Sequence, residues 1–313
     1  MSMGTARTLL PFISAVLAFG CSDRPEDADR ATGAASLRQV VAVTSGPAQL
    51  LAAAALGPDR VEPVAPTGIP LDRWRPDDRA LDAMVSARRV LVLGDEAEPW
   101  LQRAGLPPSR TTRLEAAVPE ELWIEVGSFT HTHGGGESHT HGGVVAETWT
   151  DPDLLRAMAQ RSNDQLRSAL ESGGAAPPPG SLDGRIDEYA AELTALAAAL
   201  DGRALIATHH GMEYLCRWAG IRLEVTELEL DGSGAPPNDA AVRELAELAG
   251  QEGAHAGVLV WPGRLDPTFA EMAQQELGLR SVDFKLGGTL SDRDTLTRLT
   301  QSAARLRAAI APE

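Results

Sequence analysis

The sequence predicts an α/β protein: two βα domains with parallel sheets, joined by one long rigid helix. Three observations carry this. Short apolar, β-branched runs alternate with helical segments in both halves of the 313 residues, which is the order that builds parallel sheets. Between the halves, Leu182 to Leu200 carries apolar residues at 182, 186, 189, 193, 196, 197 and 200, near the 3.6-residue period of a helix about 28 Å long. Runs such as Arg89-Val-Leu-Val-Leu93 and Gly257-Val-Leu-Val-Trp261 are continuously apolar rather than alternating, as in strands covered on both faces.

The chain begins with a charged start at Arg7, an apolar run from Leu9 to Phe19, and Gly20-Cys21-Ser22-Asp23. That order reads as a secretory signal over residues 1–20, and the apolar run is too short to cross a bilayer. Leu17-Ala18-Phe19-Gly20-Cys21 resembles a bacterial lipobox, which implies lipidation at Cys21, an anchor in the cell envelope, and a face turned to the periplasm or the extracellular side. Residues 21–36, polar and rich in Asp, Arg, Ala and Gly, read as a flexible tether.

An N-terminal α/β domain is expected over residues 37–150. Its elements are a strand from Gln39 to Thr44, a helix from Ala48 to Leu56, and a strand over Val61 to Pro66. A helix over Asp77 to Ala87, a strand over Arg89 to Leu93, a short helix over Glu96 to Arg103 and a strand over Thr111 to Leu114 follow. Residues 151–202 change to helix: Asp151-Pro152 is an N-cap with Pro in the first turn, Leu154 to Leu170 is amphipathic, and 182–200 is the linking helix. The α/β alternation restarts over 203–313. Strands are expected at Ala204 to Thr208, Arg222 to Leu228, Gly257 to Trp261 and Arg280 to Phe284. Helices are expected at Gly211 to Ala219, Asp239 to Glu252, Pro267 to Leu277 and Ser291 to Ala309. No internal repeat is visible.

Charge and cysteine usage exclude several classes. A formal net charge of -16 opposes a nucleic-acid partner, whose phosphates need a basic face. Cys216 has no partner in the mature chain, so no disulfide framework is expected. His-Glu-x-x-His and Gly-x-Ser-x-Gly are both absent, and a hydrolase would need such a constellation, so the chain is not read as an enzyme.

Residues 130–142 concentrate four of the seven histidines: His131, His133, His139 and His141 form two His-Thr-His pairs around a glycine-rich centre. With nothing apolar enough to pack, the tract reads as a loop. Neutral imidazole is a common ligand for borderline divalent ions, so the loop reads as a metal collector, zinc foremost. Ligand groups in open parallel sheets gather at the carboxyl ends of strands. Four segments place candidates there: Leu71-Asp72-Arg73-Trp74, Glu147-Thr-Trp149-Thr-Asp151-Pro152, His209-His210, and Asp283.

In these features the chain looks like the zinc- and manganese-binding substrate-binding proteins of ABC transporters, the cluster that includes zinc-uptake binding proteins and metal-binding adhesin lipoproteins. The marks are Arg75-Pro76-x-Asp78, Gly94-x-x-x-Glu98-x-Trp100-Leu101, the His-rich loop, the x-Trp149-x-Asp151-Pro152 step, a His after a strand, and a late-strand Asp. They span Val41 to about Ala309. The resemblance implies a metal cleft between the domains, capture of Zn2+ or alternatively Mn2+, delivery to an ABC permease with its ATPase, or a role as chaperone or in cell adhesion. A monomer is expected. The family's first ligand, a His, falls on Leu71, which cannot bind metal. The second falls on Glu147, the third on His209 with His210 beside it, and the fourth on Asp283; Asp72 is a further candidate. A degenerate cleft for another ligand is the alternative that Leu71 and Glu147 leave open.

Overall fold

The structure, a computed structural model, describes residues 38–127, 129–132, 138–141, 143–169, 181–226, 228, 239–251, 253–263, 265–291 and 294–310. The expected signal, the tether and Cys21 lie outside the described residues. The first sheet has the order β2-β1-β3-β4, formed by β1 (Arg38–Val43), β2 (Val61–Pro63), β3 (Ala87–Val92) and β4 (Thr111–Arg113), all parallel. The second has the order β10-β9-β7-β8, formed by β7 (Ala204–Ala207), β8 (Leu223–Val225), β9 (His255–Pro262) and β10 (Arg280–Phe284), again all parallel. In chain order the two sheets are laid down identically, a repeat of architecture that the sequence does not display.

Helices α1 (Gly46–Leu56), α2 (Asp78–Ser86) and α3 (Pro152–Ala169) serve the first half, and α4 (Ser181–Leu200) follows as the long connecting helix. The second half adds α5 (Glu213–Ala219), α6 (Asp239–Ala249), α7 (Pro267–Leu277) and α8 (Thr295–Ile310). Local chemistry sets their starts. Ser45 Oγ accepts from Ala48 N, Asp77 from Ala80 N, Asp266 from Phe269 N, and Asp151 Oδ1 from Asp153 N and Leu154 N, each satisfying an otherwise unpaired first-turn donor. The segment expected as a helix from Glu96 to Arg103 is a 3-10 turn at Pro99–Gln102. Pro99 lacks the N–H that a longer α-helix through this point would use.

Each strand divides its side chains between two cores with the period of two that a pleated strand imposes. Val41 and Val43, Leu91, Leu205, and Val258 and Val260 join one core that runs through both halves. Ala42, Val90 and Val92 face an outer core with Trp74, Met84 and Trp100, while Ile206, Leu259 and Trp261 face another with Phe269. From Leu37 onward the chain is one compact unit. The shared core also contains Ile186, Tyr189, Leu193 and Leu196 of α4 and Leu296, Leu299, Ala303 and Leu306 of α8.

The halves are stitched by backbone where side chains are missing. Gly46 N donates to Gly288 O (2.8 Å), and Gly68 N to Leu290 O (3.0 Å). Trp149 Nε1 donates to Leu286 O (2.8 Å), and its ring lies so close to Gly288 that a Cβ there would meet Cζ2 at 2.9 Å. A Cβ on Gly46 would meet the Gly287 carbonyl oxygen at 2.4 Å, and backbone on both sides cannot step aside.

The expectation of a loop at 130–142 is corrected. Phe129–Thr132 (β5) and Ser138–His141 (β6) pair as an antiparallel hairpin. Its base extends inward through Val126 N to Gly143 O (2.6 Å) and Val145 N to Ile124 O (3.0 Å). Threonine and aromatic residues suit strands, so Phe129-Thr-His-Thr and Ser-His-Thr-His can pair despite having little to bury. The register sets His131 opposite His139 and His141 opposite Phe129. His133 lies outside the described residues.

At the carboxyl end of the first sheet, Glu98 is fully buried. Its Oε2 accepts from Leu93 N (2.6 Å), while Oε1 has no hydrogen-bond partner. Burial pushes this carboxyl up to about 7, against the pull of Thr44 and the N–H groups of Leu93 and Gly94, and with a small further push from Glu115. A carboxyl held neutral in the fold but ionised at 4.5 in an unfolded chain contributes stability that is complete below 4.5 and lost as pH rises through about 7. The swing is roughly 3 kcal/mol. Glu98→Gln should therefore remove a fall in melting temperature between pH 4.5 and 8 and melt above the wild type at pH 8; the same pH slope in both proteins would refute the assignment. For the seam, Gly46→Ala should cost about 1–3 kcal/mol in chemical denaturation. Gly184→Ala, on an open face of α4, should cost nothing or stabilise.

Candidate metal site

Four of the sequence's candidates come from loops that leave strand ends. Asp72 follows β2, Glu147 follows the inner end of the hairpin ladder two residues past Val145, and His209 and His210 follow β7. Of these, Glu147 and His210 come to Gly211. Gly211 has φ +128°, and a Cβ placed on it would stand 3.7 Å from the Glu147 carboxyl carbon, 3.7 Å from Pro262 Cβ and 2.8 Å from Leu286 Cδ1. A side chain at 211 would thus fill the space the Glu147 carboxyl approaches.

Glu147 is partly exposed, yet enough protein surrounds its carboxyl to push it up to about 7. Burial is the main cause; the charges of Glu213 and Asp72 add to it, while the residue's own N–H and His210 oppose it. Glu213 and Asp72 thus act on Glu147 as like charges and His210 as an opposing one. Glu213 is the member that sequence reasoning missed. Its Oε2 accepts from Gly211 N (2.7 Å), and its Oε1 meets His210 Nδ1; those contacts hold the carboxyl below its ordinary value in spite of burial. The available signal was its spacing, three residues after His210 at the first turn of a helix, which puts the two side chains on one face.

His209 occupies the crevice between β7 and β9, the point where the strand order reverses. Its Nε2 bonds Pro262 O (2.6 Å) and its Nδ1 lies 2.9 Å from Thr208 Oγ1. A carbonyl can only accept, so Nε2 carries the proton and the Nδ1 lone pair faces the Thr208 hydroxyl, which can donate to it; both ring nitrogens are engaged. Asp283 takes a different position. It pairs with Lys285 Nζ (3.0 Å) and with Arg305 Nε of α8 (3.8 Å), and the next residue along the strand, Phe284, faces the shared core. The structure thus does not bring Glu147, His209 and Asp283 together: among the described residues no three His, Cys, Asp or Glu side chains stand close enough to hold a metal. Leu71 is buried in the shared core, 3.8 Å from where a Cβ on Gly288 would stand. His255 is engaged by Ala249 O and Gly257 N and is structural. Cys216 is buried, and burial raises its thiol.

Two parallel four-stranded sheets on a shared core are the architecture of the chain, and the family it matches is one of metal-binding solute-binding proteins, transport components and not enzymes. Residues 41–307 match the family described as the zinc-uptake complex component A, periplasmic, and the chain belongs to that family. No curated protein matches the sequence significantly. Among solved structures, the fold is shared with the metal-dependent lipoprotein YcdH from Bacillus subtilis (12% identity, 87% of this chain and 98% of that one, TM-score 0.64). It is shared too with the periplasmic zinc-binding protein TroA from Treponema pallidum (12%, 88% and 99%, 0.64). The laminin-binding protein Lbp of Streptococcus pyogenes is similar as well (13%, 87% and 98%, 0.60).

Relief of the crowded charge gives a test. Glu147→Gln removes the carboxyl that burial and Glu213 oppose, so the ion-free protein should gain on the order of 1 kcal/mol at pH 8. A lower melting temperature than wild type in chelator would contradict the repulsion.

Proposed function

We propose that the protein captures a divalent metal ion, zinc first and manganese as the alternative, in the cleft lined by Glu147, His209, His210 and Asp72. The ion then passes to an ABC permease and its ATPase. The observation that supports this best is the match of residues 41–307 to the zinc-uptake family; Glu147, on which Glu213 and Asp72 act as like charges, adds negative charge that a bound cation would neutralise. Mixed oxygen and nitrogen donors favour zinc over manganese in affinity, and the oxygen share keeps manganese within reach. Asp283 could join only by leaving Lys285 and Arg305, so its role as a ligand requires that ion pair to open. The name of TroA speaks of zinc and the family description of zinc uptake, and both agree with this reading.

Two further parts belong to the proposal. The His-rich tract with His131, His133, His139 and His141 would collect ions for the site. Cys21 would carry the lipid that holds the protein at the envelope.

Titration of chelator-treated protein with Zn2+ and Mn2+ tests the reading. One saturable tight site is expected, and it should persist when residues 130–142 are deleted; absence of such a site in both proteins would end it. Ion binding has to displace the proton that Glu147 holds below about 7. Affinity should therefore fall roughly tenfold per pH unit below that point and level off above it. A flat profile between pH 5.5 and 8 would remove Glu147 from the site.

A further inference from the structure

Glu98 reaches the ends of both central strands of the first sheet. Its Oε2 accepts from Leu93 N, just past β3 (2.6 Å), and Thr44, the residue after β1, acts on the same carboxyl. Both side chains are fully buried, yet Glu98 Oε1 and Thr44 Oγ1 each lack a hydrogen-bond partner. A protonated Glu98 carries one O–H to give, and a hydroxyl with a free lone pair stands beside it. An ionised Glu98 would be a charge out of water, and the charged side chain that acts on it is Glu115, of like sign.

Thr44 is also where the seam begins. Ser45 follows it as the cap of α1, accepting from Ala48 N (3.3 Å), and Gly46 N then donates to Gly288 O (2.8 Å). The surroundings give an anion at Glu98 little support. Glu115 folds into the space a Cβ on Gly94 would need and accepts from the N–H groups of Asp95 and Glu96. Arg113 is paired with Asp95 (2.6 Å) and lies 3.9 Å from Glu115, while Arg161 of α3 gives its Nε to Arg113 O (3.2 Å). Residues 44–51, which open α1, and 286–291 across the seam carry no charge, and Arg298 of α8 is bonded to Thr289 and Ser291. We propose that Glu98 is a proton-operated latch on the seam: with its proton it holds the end of β1 closed through Thr44, and its ionisation loosens the Gly46–Gly288 contact while the rest of the fold stays in place. The latch acts through backbone and needs no bound ion.

Native-state amide hydrogen exchange, corrected for the intrinsic effect of pH, reads the latch. An opening that exposes Glu98 lets it ionise near 4.5, whereas the closed form keeps its proton up to about 7. Opening is therefore rarest below 4.5, grows about tenfold per pH unit between the two values, and levels off above 7. The Gly46 amide of the wild type should lose about a hundredfold in protection from pH 5 to 7. In Glu98→Gln, whose side chain does not titrate, that protection should not change with pH. Ile124 N, bonded to Tyr214 Oη at the other tie between the halves, should show no such fall in either protein. By NMR of the wild type, the Glu98 carboxyl carbon and the Gly46 amide should titrate with one midpoint, near 7.

Protection of Gly46 that is flat with pH in the wild type, or that falls equally in Glu98→Gln, overturns the latch. So does a fall shared by Gly46, Ile124 and the amides of β1 and β9 alike, which would make Glu98 a contributor to global stability alone. Should Glu98→Gln fail to fold, the wild-type titration decides: a common midpoint for Glu98 and Gly46 supports the latch, and separate midpoints refute it.

Discussion

The constraint on which the rest depends is the close approach of the two halves at Gly46, Gly287 and Gly288. Backbone there touches backbone, with Gly46 N on Gly288 O and the Trp149 ring against Gly288. Because no Cβ intervenes, the carboxyl ends of both sheets come near enough for one apolar core to serve both. That core takes in α4 and α8 as well as strands of each sheet. The carboxyl ends of the two sheets are thus held from behind by one continuous body.

The two sheets share one strand order, and each therefore has a crevice where that order reverses, between β1 and β3 and between β7 and β9. They are filled in opposite ways. In the first half the chain closes the crevice with its own Glu98, fully buried with one oxygen bonded to Leu93 N. In the second, the crevice holds His209, whose ring is tethered to Pro262 O and remains partly exposed. One half has become a plug and the other a presenting surface. The asymmetry is chemical and not topological, which is why ligand candidates cluster after β7 and along the Glu147 segment.

Most of the fold was legible because its signals are local or periodic. The limits of α7 and β10 agree with those read from Pro267 and from the Arg280–Phe284 run, and the parallel sheets follow from alternation of the apolar runs. Helix caps at Asp77 and Asp151 were equally readable. The hairpin was not, because its pairing comes from register between two polar strands and from the ladder at its base, and neither leaves an apolar pattern. The site was legible in part. Asp72 and His210, read from their own loops, both act on the Glu147 carboxyl, though among the described residues no metal-holding group forms. The choice Asp283 makes, for Lys285 and Arg305, depends on which face of β10 it occupies against α8. Glu213 matters only because the chain turns at Gly211, where φ is positive, and that turn is a tertiary fact.

The inner wall of the cleft is also fastened to the hairpin's base. Tyr214 Oη accepts from Ile124 N, and Arg217, stacked over the Tyr214 ring, donates to Leu122 O. Both come from the helix that begins with Glu213, while Ile124 bonds the strand that leads to Glu147. A hinge that swings two rigid lobes apart would have to tear these ties together with the glycine seam. Separating the halves would break hydrogen bonds at two distant places at once, so thermal motion should leave the two sheets moving as one body.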